Sequence, residues 1–328
     1  MYGRVGTPYR RHPRAQLAIV VGLFLLLLSV PVSAAFQEAL WGARPSGMAG
    51  AFTALADDAN APAYNPAGIS LLRKNEATFM YAQLYSGVNF NAGSDKSNLG
   101  LGYFSFAPQI KEQRYGSYAV SLTNLVATNL YREDSFSLTF ADSYQFDSES
   151  QPLLGYGLNL KYLRRSFSTD SRTDADPVFR GGRDSGAITA DLGALLRPHW
   201  TVLPGLKFGL CAQNITQPDM GLAATDRVPA RYTLGIAYQE RAYSFFNPAL
   251  DISRRDGRTL MTAAWEGWLA KNTFAFRMGG NADELGGGLG YQFRLFDGVY
   301  MRLDYSLIWP FDVKGSNGSH RVSITTSF

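Results

Sequence analysis

LGGGLGYQFRL (residues 285–295), FDG (296–298) and VYMRLDYSLIW (299–309) decide the fold. In the first stretch Leu285, Gly287, Leu289, Tyr291, Phe293 and Leu295 alternate with Gly286, Gly288, Gly290, Gln292 and Arg294. In the second, Val299, Met301, Leu303, Tyr305, Leu307 and Trp309 alternate with Tyr300, Arg302, Asp304, Ser306 and Ile308. A period of two puts successive side chains on opposite faces of a strand. One face is therefore aliphatic and aromatic, the other small, polar and charged. The FDG between them has tight-turn chemistry, so the two stretches read as an antiparallel hairpin.

The alternation recurs outward from this hairpin. Tyr232, Leu234, Ile236 and Tyr238 alternate with Arg231, Thr233, Gly235 and Ala237. Weaker versions lie near 76–85, 97–106, 115–123, 134–146, 153–167, 184–197, 205–215, 246–253, 260–270, 273–281 and 320–328. That makes about fourteen strands of roughly ten residues, an even number and a length that crosses a bilayer at a tilt. A soluble antiparallel sandwich would also alternate, but with a polar outer face and strands of about 5–6 residues. The pattern favours an all-β fold, a transmembrane antiparallel β-barrel with a polar lumen. Lumen-facing candidates are Arg231, Arg294, Arg302, Asp304, Gly286, Gly288 and Gly290, with Lys161 and Asp191 as further lumenal charges. Buried charges need partners, so these are expected to pair around a lumenal segment or across the barrel.

If the first strand runs outward, 271–272 and 296–298 are tight inner turns, whereas 168–183, 216–228 and 310–319 are long polar outer loops. The connector near Ala282 is a short exception. The chain ends on Phe328, in phase with Val322, Ile324 and Thr326. A terminal aromatic on an alternating strand is similar to the signal read by outer-membrane barrel assembly machinery.

The chain has 328 residues, 46% of them hydrophobic and 18% charged. A charged fraction below the usual ~25% argues against disorder. The single long apolar run, Leu17 to Val30, excludes a polytopic helical membrane protein. It follows a basic stretch and precedes Val32-Ser33-Ala34, the layout of a cleaved export signal, with a retained anchor as the alternative. Arg4, Arg10, Arg11 and Arg14 belong to that leader, and without them 27 basic residues balance 27 acidic ones. A nucleic-acid partner then has no electrostatic basis. Cys211 is the one cysteine, which excludes an internal disulfide and a thiolate metal cluster. His199 and His320 are too far apart for a metal-ligand spacing, and no Ser/His/Asp grouping has a catalytic arrangement. No catalytic residue, metal or cofactor is expected.

Residues 36–74 break the alternation. After Pro45, SGMAGAFTALA has helical character, with Gly47, Gly50, Ala51 and Ala54 forming one small-residue face. Glycines inside a helix cost roughly 1 kcal/mol each, which points to close approach to a wall. Asp57 and Asp58 end the pattern, and Asn65-Pro66-Ala67-Gly68 fits a type I turn. The bare face of Gly286, Gly288 and Gly290 is a wall beside which such a helix could lie.

GARPSGMAGAFTALADDANAPAYNPAGIS (42–70) resembles the N-terminal motif of the fatty-acid transporter (FadL/TodX) superfamily of outer-membrane barrels, within it most nearly the PorV/PorQ-type proteins of type IX secretion and their uncharacterised relatives. The matching residues are Gly42, Ala43, Arg44, Gly47, Met48, Ala51, Ala54, Asp57, Asp58, Asn65, Pro66, Ala67 and Gly68. Ala49-Gly50 departs from the usual Gly-Gly or Gly-Ala order, and Tyr64 stands where Trp is frequent. VPARYTLGIAY (228–238) and SHRVSITTSF (319–328) are also similar to PorV-like segments. The resemblance implies a 14-stranded barrel whose N-terminal segment folds inward as a hatch. The expected organisation is a cleaved signal (1–34), a hatch (35–74) and a barrel (75–328) in a bacterial outer membrane, in contact with its lipid. The superfamily implies passive transport of a small hydrophobic ligand. The subgroup implies a docking or scaffold barrel with a secretion-system protein partner, and a structural barrel without transport is a minor alternative.

Overall fold

A computed structural model of the chain describes residue 36 and residues 39–328, apart from 89–98, 110–115, 129, 146–152, 170–172, 174, 199 and 240–244. The expected signal segment and His199 lie outside the described residues.

Fourteen antiparallel strands close into one barrel. They are β1 (Glu76–Gln83), β2 (Leu99–Ala107), β3 (Ser117–Ala127), β4 (Tyr131–Gln145), β5 (Leu153–Phe167), β6 (Asp184–Arg197) and β7 (Leu206–Gln213), followed by β8 (Arg231–Tyr238), β9 (Asn247–Arg255), β10 (Arg258–Leu269), β11 (Phe274–Gly280), β12 (Glu284–Phe296), β13 (Val299–Pro310) and β14 (Ser319–Ser327). Neighbours in sequence pair throughout, and β1 closes on β14 from Glu76↔Ser327 to Gln83↔His320. Phe328 extends this seam, exchanging main-chain hydrogen bonds with Asn75 at 2.9 and 3.1 Å. Closure leaves no sheet edge to pair with another chain.

β4 shows why these residues make a wall. Glu133, Ser135, Ser137, Thr139 and Ala141 point inward and are buried, while Phe136, Leu138 and Phe140 point outward and are exposed. On β5 the outward set is Tyr156, Leu158, Leu160 and Tyr162. An apolar belt running around the whole cylinder requires lipid rather than water as its solvent.

The end at which β1 finishes is termed outer, following the sequence expectation. The outer connectors 168–183, 214–230 and 311–318 are long, but 128–130, 256–257 and 281–283 are short, and the inner connector 198–205 exceeds all three. The loop-length asymmetry is therefore weaker than a simple hairpin rule gives. Asp256 and Gly257 both have positive φ (48° and 76°), the requirement of a two-residue type I′ hairpin.

Residues 39–74 run inside the cylinder, through α1 (Ala43–Gly47), α2 (Ala61–Tyr64) and a 3₁₀ helix Pro66–Leu71. The core is formed there: Met48, Phe52, Leu55 and Ile69 are buried against inward alanines of the wall, among them Ala107, Ala141 and Ala237. The expected helix over 46–56 does not form. The helix stops at Gly47, and positive φ at Ala49 (48°) and Gly50 (85°) turns the chain aside. The amides of Phe52 and Thr53 donate to the Asp251 carboxylate of β9 at 3.1 and 3.0 Å, a partner that replaces helical carbonyls. The turn at Asn65 continues as the 3₁₀ helix, with the Asn65 side chain accepting from Ala67 N at 3.2 Å.

Candidate functional site: a plugged lumen

The lumenal segment touches the wall at a series of inward glycines. A Cβ added at Gly157 on β5 would lie 2.5 Å from Ala67 N. At Gly235 on β8 it would meet Ala54 N at 2.8 Å, and at Gly286 on β12, Ser46 O at 2.9 Å. At Gly209 and Gly279 it would strike the main chain of Thr53 and Met48. Gly288 and Gly47 face one another, each with a Cβ position 3.1 Å from the other's Cα. The glycines on the lumenal face of β12 thus lie beside α1, although Gly290 instead borders Asp304 and Arg277. Within the segment, Gly42 (φ 76°) has its Cβ position 2.7 Å from Asn60 Cγ, and Gly68 lies against Ala56 O and Ala61 Cβ. Asn65 Nδ2 donates to Thr53 O at 2.9 Å and to Ala194 O of β6 at 3.0 Å, a hydrogen bond from the segment to the wall.

The second tie is a closed ring of alternating charge. Arg44 donates to both Glu266 oxygens at 2.9 Å and to Asp58 Oδ2 at 2.8 Å. Glu266 accepts from Arg277 Nε at 2.7 Å, and Arg277 reaches Asp304 Oδ1 at 2.7 Å. Arg302 bridges Asp304 Oδ2 and Asp58 Oδ2, each at 2.7 Å, which returns the ring to its start. The lumenal segment supplies Arg44 and Asp58, and strands β10, β11 and β13 supply the other four residues. All six are buried. Three positive and three negative groups cancel, so no net charge is left in a desolvated site, and each guanidinium has forked partners. Asp57 adds an ion pair to Arg44 at 2.7 Å.

Burial alone would raise the Asp58 carboxyl, but Arg44 and Arg302 beside it hold it below the usual carboxylate range. Its contribution to anchoring is therefore complete above the ordinary aspartate pKa of ~4 and is lost as pH falls through the lower folded value. The difference in proteolytic protection between the parent chain and Asp58→Asn is expected to be constant from pH 8 to about 4 and to shrink only in stronger acid. A difference already lost near neutrality would contradict this role.

Above the segment, toward the outer end, is a cavity of about 120 Å³. Trp41, Tyr64 and Leu163 give it apolar surface, and Lys161, Asp191 and Glu133 give it charge. Lys161 pairs with Asp191 at 2.6 Å. The loop 214–230 folds over this end: Met220 and Val228 pack on Leu163, and Arg165 pairs with Asp226 at 2.5 Å.

The sequence-derived residues fall into three groups. Arg44, Asp58, Arg302 and Asp304 meet in the ring, and Arg231 lines the cavity. Arg294 is corrected: it shares the lumenal phase of β12 but sits exposed at the inner rim, paired with Asp297 in the turn, because a strand end has no lumen left to face. Glu266 and Arg277 were missed, although both fall on inward positions of alternating segments and are direct cross-strand partners. Cys211 is buried in the wall, and His320 bonds Tyr305 through Nδ1 at 2.8 Å.

No family model matches the chain, and no curated protein is similar to it in sequence. Solved structures do share its fold. The Ralstonia pickettii toluene transporter TbuX superposes with a TM-score of 0.57 at 12% identity, over 89% of this chain and 98% of that one. The monoaromatic hydrocarbon channel CymD gives 0.55 at 12% identity, over 92% and 98%. A Pseudomonas aeruginosa FadL homologue gives 0.54 at 12% identity, over 92% and 99%. At this identity the likeness is one of architecture: the closed 14-strand barrel is shared with a toluene transporter, a monoaromatic hydrocarbon channel and a FadL homologue.

Proposed function

We propose that this chain is an outer-membrane conduit, without catalytic function, through which small and predominantly apolar compounds pass by diffusion from outside, with the lumenal segment acting as a displaceable hatch. The observation that carries this reading is the outer cavity ending on a segment of the chain's own start, held by hydrogen bonds and ion pairs rather than by chain crossing the lumen wall. The names of the structural neighbours, toluene and monoaromatic hydrocarbon transporters, point the same way. The test is uptake of radiolabelled toluene by cells whose outer membrane carries the chain, against cells without it. The conduit reading expects a several-fold faster initial rate, and equal rates would contradict it.

A docking barrel for a secretion system is the second reading, resting on the PorV/PorQ resemblance of the N-terminal motif. The tight seating of the segment against wall glycines favours it, since a scaffold needs no passage. Purification in mild detergent separates the two: a stoichiometric envelope protein without bound small molecule supports docking, and a bound small molecule alone supports the conduit.

A further inference from the structure

Four hydroxyls form a patch in the wall of the outer cavity. Ser121 and Thr123 on β3 lie directly opposite Ser137 and Ser135 on β4, and all four line the cavity with Trp41 and Tyr64. Of the charges around them, Arg231 lies in the field of the Asp251 carboxylate, and the other four are engaged directly. Lys161 is held by Asp191 and by Asn214 Oδ1, both at 2.6 Å. Glu133 accepts from Phe36 N at 2.8 Å and from the Tyr131 hydroxyl, and Arg255 donates to Phe36 O at 2.7 Å. What the cavity offers a ligand is thus ring surface and neutral hydroxyls rather than a free ionic partner.

Size narrows the occupant further. A cavity of about 120 Å³ is close to the ~150 Å³ apolar cavity that accepts a benzene ring. An extended acyl chain exceeds this volume, and a plain hydrocarbon would desolvate the hydroxyl patch without replacing its hydrogen bonds, an unfavourable exchange. A site built to hydrogen-bond a ligand hydroxyl discriminates strongly against the analogue lacking it.

We propose that the outer cavity is a binding site for neutral single-ring aromatics that carry a hydroxyl group, with the ring against Trp41 and Tyr64 and the hydroxyl on the Ser121/Thr123/Ser135/Ser137 patch. This deepens the conduit reading, on which it rests for the route to the site. The hydroxyl both donates and accepts, which matches serine and threonine partners of either polarity.

The experiment is equilibrium binding of phenol, toluene and benzoate to the purified full chain in detergent, repeated with Ser121→Ala/Ser137→Ala. Two neutral hydrogen bonds correspond to about tenfold in affinity or more. Phenol is expected to bind at least about tenfold tighter than toluene, and the double variant to bring the two together with toluene unchanged. Toluene or benzoate binding as tightly as phenol to the unmodified chain would overturn the assignment, and this comparison needs no variant to fold. Its failure is distinct from failure of the conduit reading. Cellular toluene uptake with no phenol preference in binding removes only the site, whereas phenol-selective binding without any uptake removes the conduit and leaves the site.

Discussion

Arg44→Met is expected to release the lumenal segment from a barrel that remains closed. Arg44 makes four charged hydrogen bonds, three within the ring (two to Glu266 and one to Asp58) and one to Asp57 beside it, and it is 4% exposed. Removing it leaves the three ring carboxylates facing only two guanidiniums, Arg277 and Arg302, in a ring that was built neutral. Breaking a buried ion pair from one side costs about 3–5 kcal/mol, because the remaining charges stay desolvated without compensation. The fourteen-strand ladder does not depend on those bonds, so the cost falls on the attachment of residues 39–74. Limited proteolysis should cut the segment in the variant and spare it in the parent, while the heat-dependent gel shift of the folded barrel persists. Adding Glu266→Gln should recover part of the loss, since it returns the ring to charge balance, and the two changes should couple by more than about 1 kcal/mol in a double-mutant cycle. An Arg44→Met chain protected as well as the parent would mean that the ring does not fasten the segment.

The second large effect is expected from Gly209→Val. Gly209 on β7 and Gly235 on β8 are direct cross-strand partners, and both face the main chain at Thr53–Ala54. A Cβ at Gly209 would lie 2.7 Å from the Thr53 carbonyl carbon, and neither rigid backbone can yield by that much. Overpacking of this kind costs typically 1–3 kcal/mol when neighbours can shift, and more here because both sides are main chain. The segment should be displaced, with increased labelling of a cysteine placed at Ala54. Gly287→Val is the control, since Gly287 belongs to the lipid-facing set of β12 and a Cβ there meets nothing within 4 Å. Gly288→Val falls between, with contacts at 3.1 Å to Gly47 Cα and Tyr305 O. An equal labelling change for Gly287→Val and Gly209→Val would show that the effect is not contact with the lumenal segment.

The barrel was legible because period two carries two kinds of information at once. In 299–309 the outward residues are those lipid tolerates, and the inward ones, Arg302, Asp304 and Ser306, are those a lumen needs. The same alternation placed every strand within a few residues. Arg44 and Asp58 were legible from the motif, and Arg302 and Asp304, which join them in the ring, from their phase on β13. Glu266 and Arg277 carried the same signal within weaker alternation, where two tryptophans on β10 obscured which face was apolar. The conformation of 46–56 was not legible, because local propensity favours a helix there and a carboxylate from a strand two hundred residues away removes it. Arg294 failed for a related reason: phase assigns a face, and height along the strand decides whether that face still encloses anything. The hydroxyl patch depends on strand register, Ser121 against Ser137, which no local pattern fixes.

Current through single molecules in a planar bilayer tests the central claim most directly, comparing the full chain with one lacking residues 42–70. If a lumen of fourteen strands is corked by its own leading segment, the intact chain passes almost no ions and the shortened chain shows large steady open steps. Open steps of the same size from both chains would contradict the account.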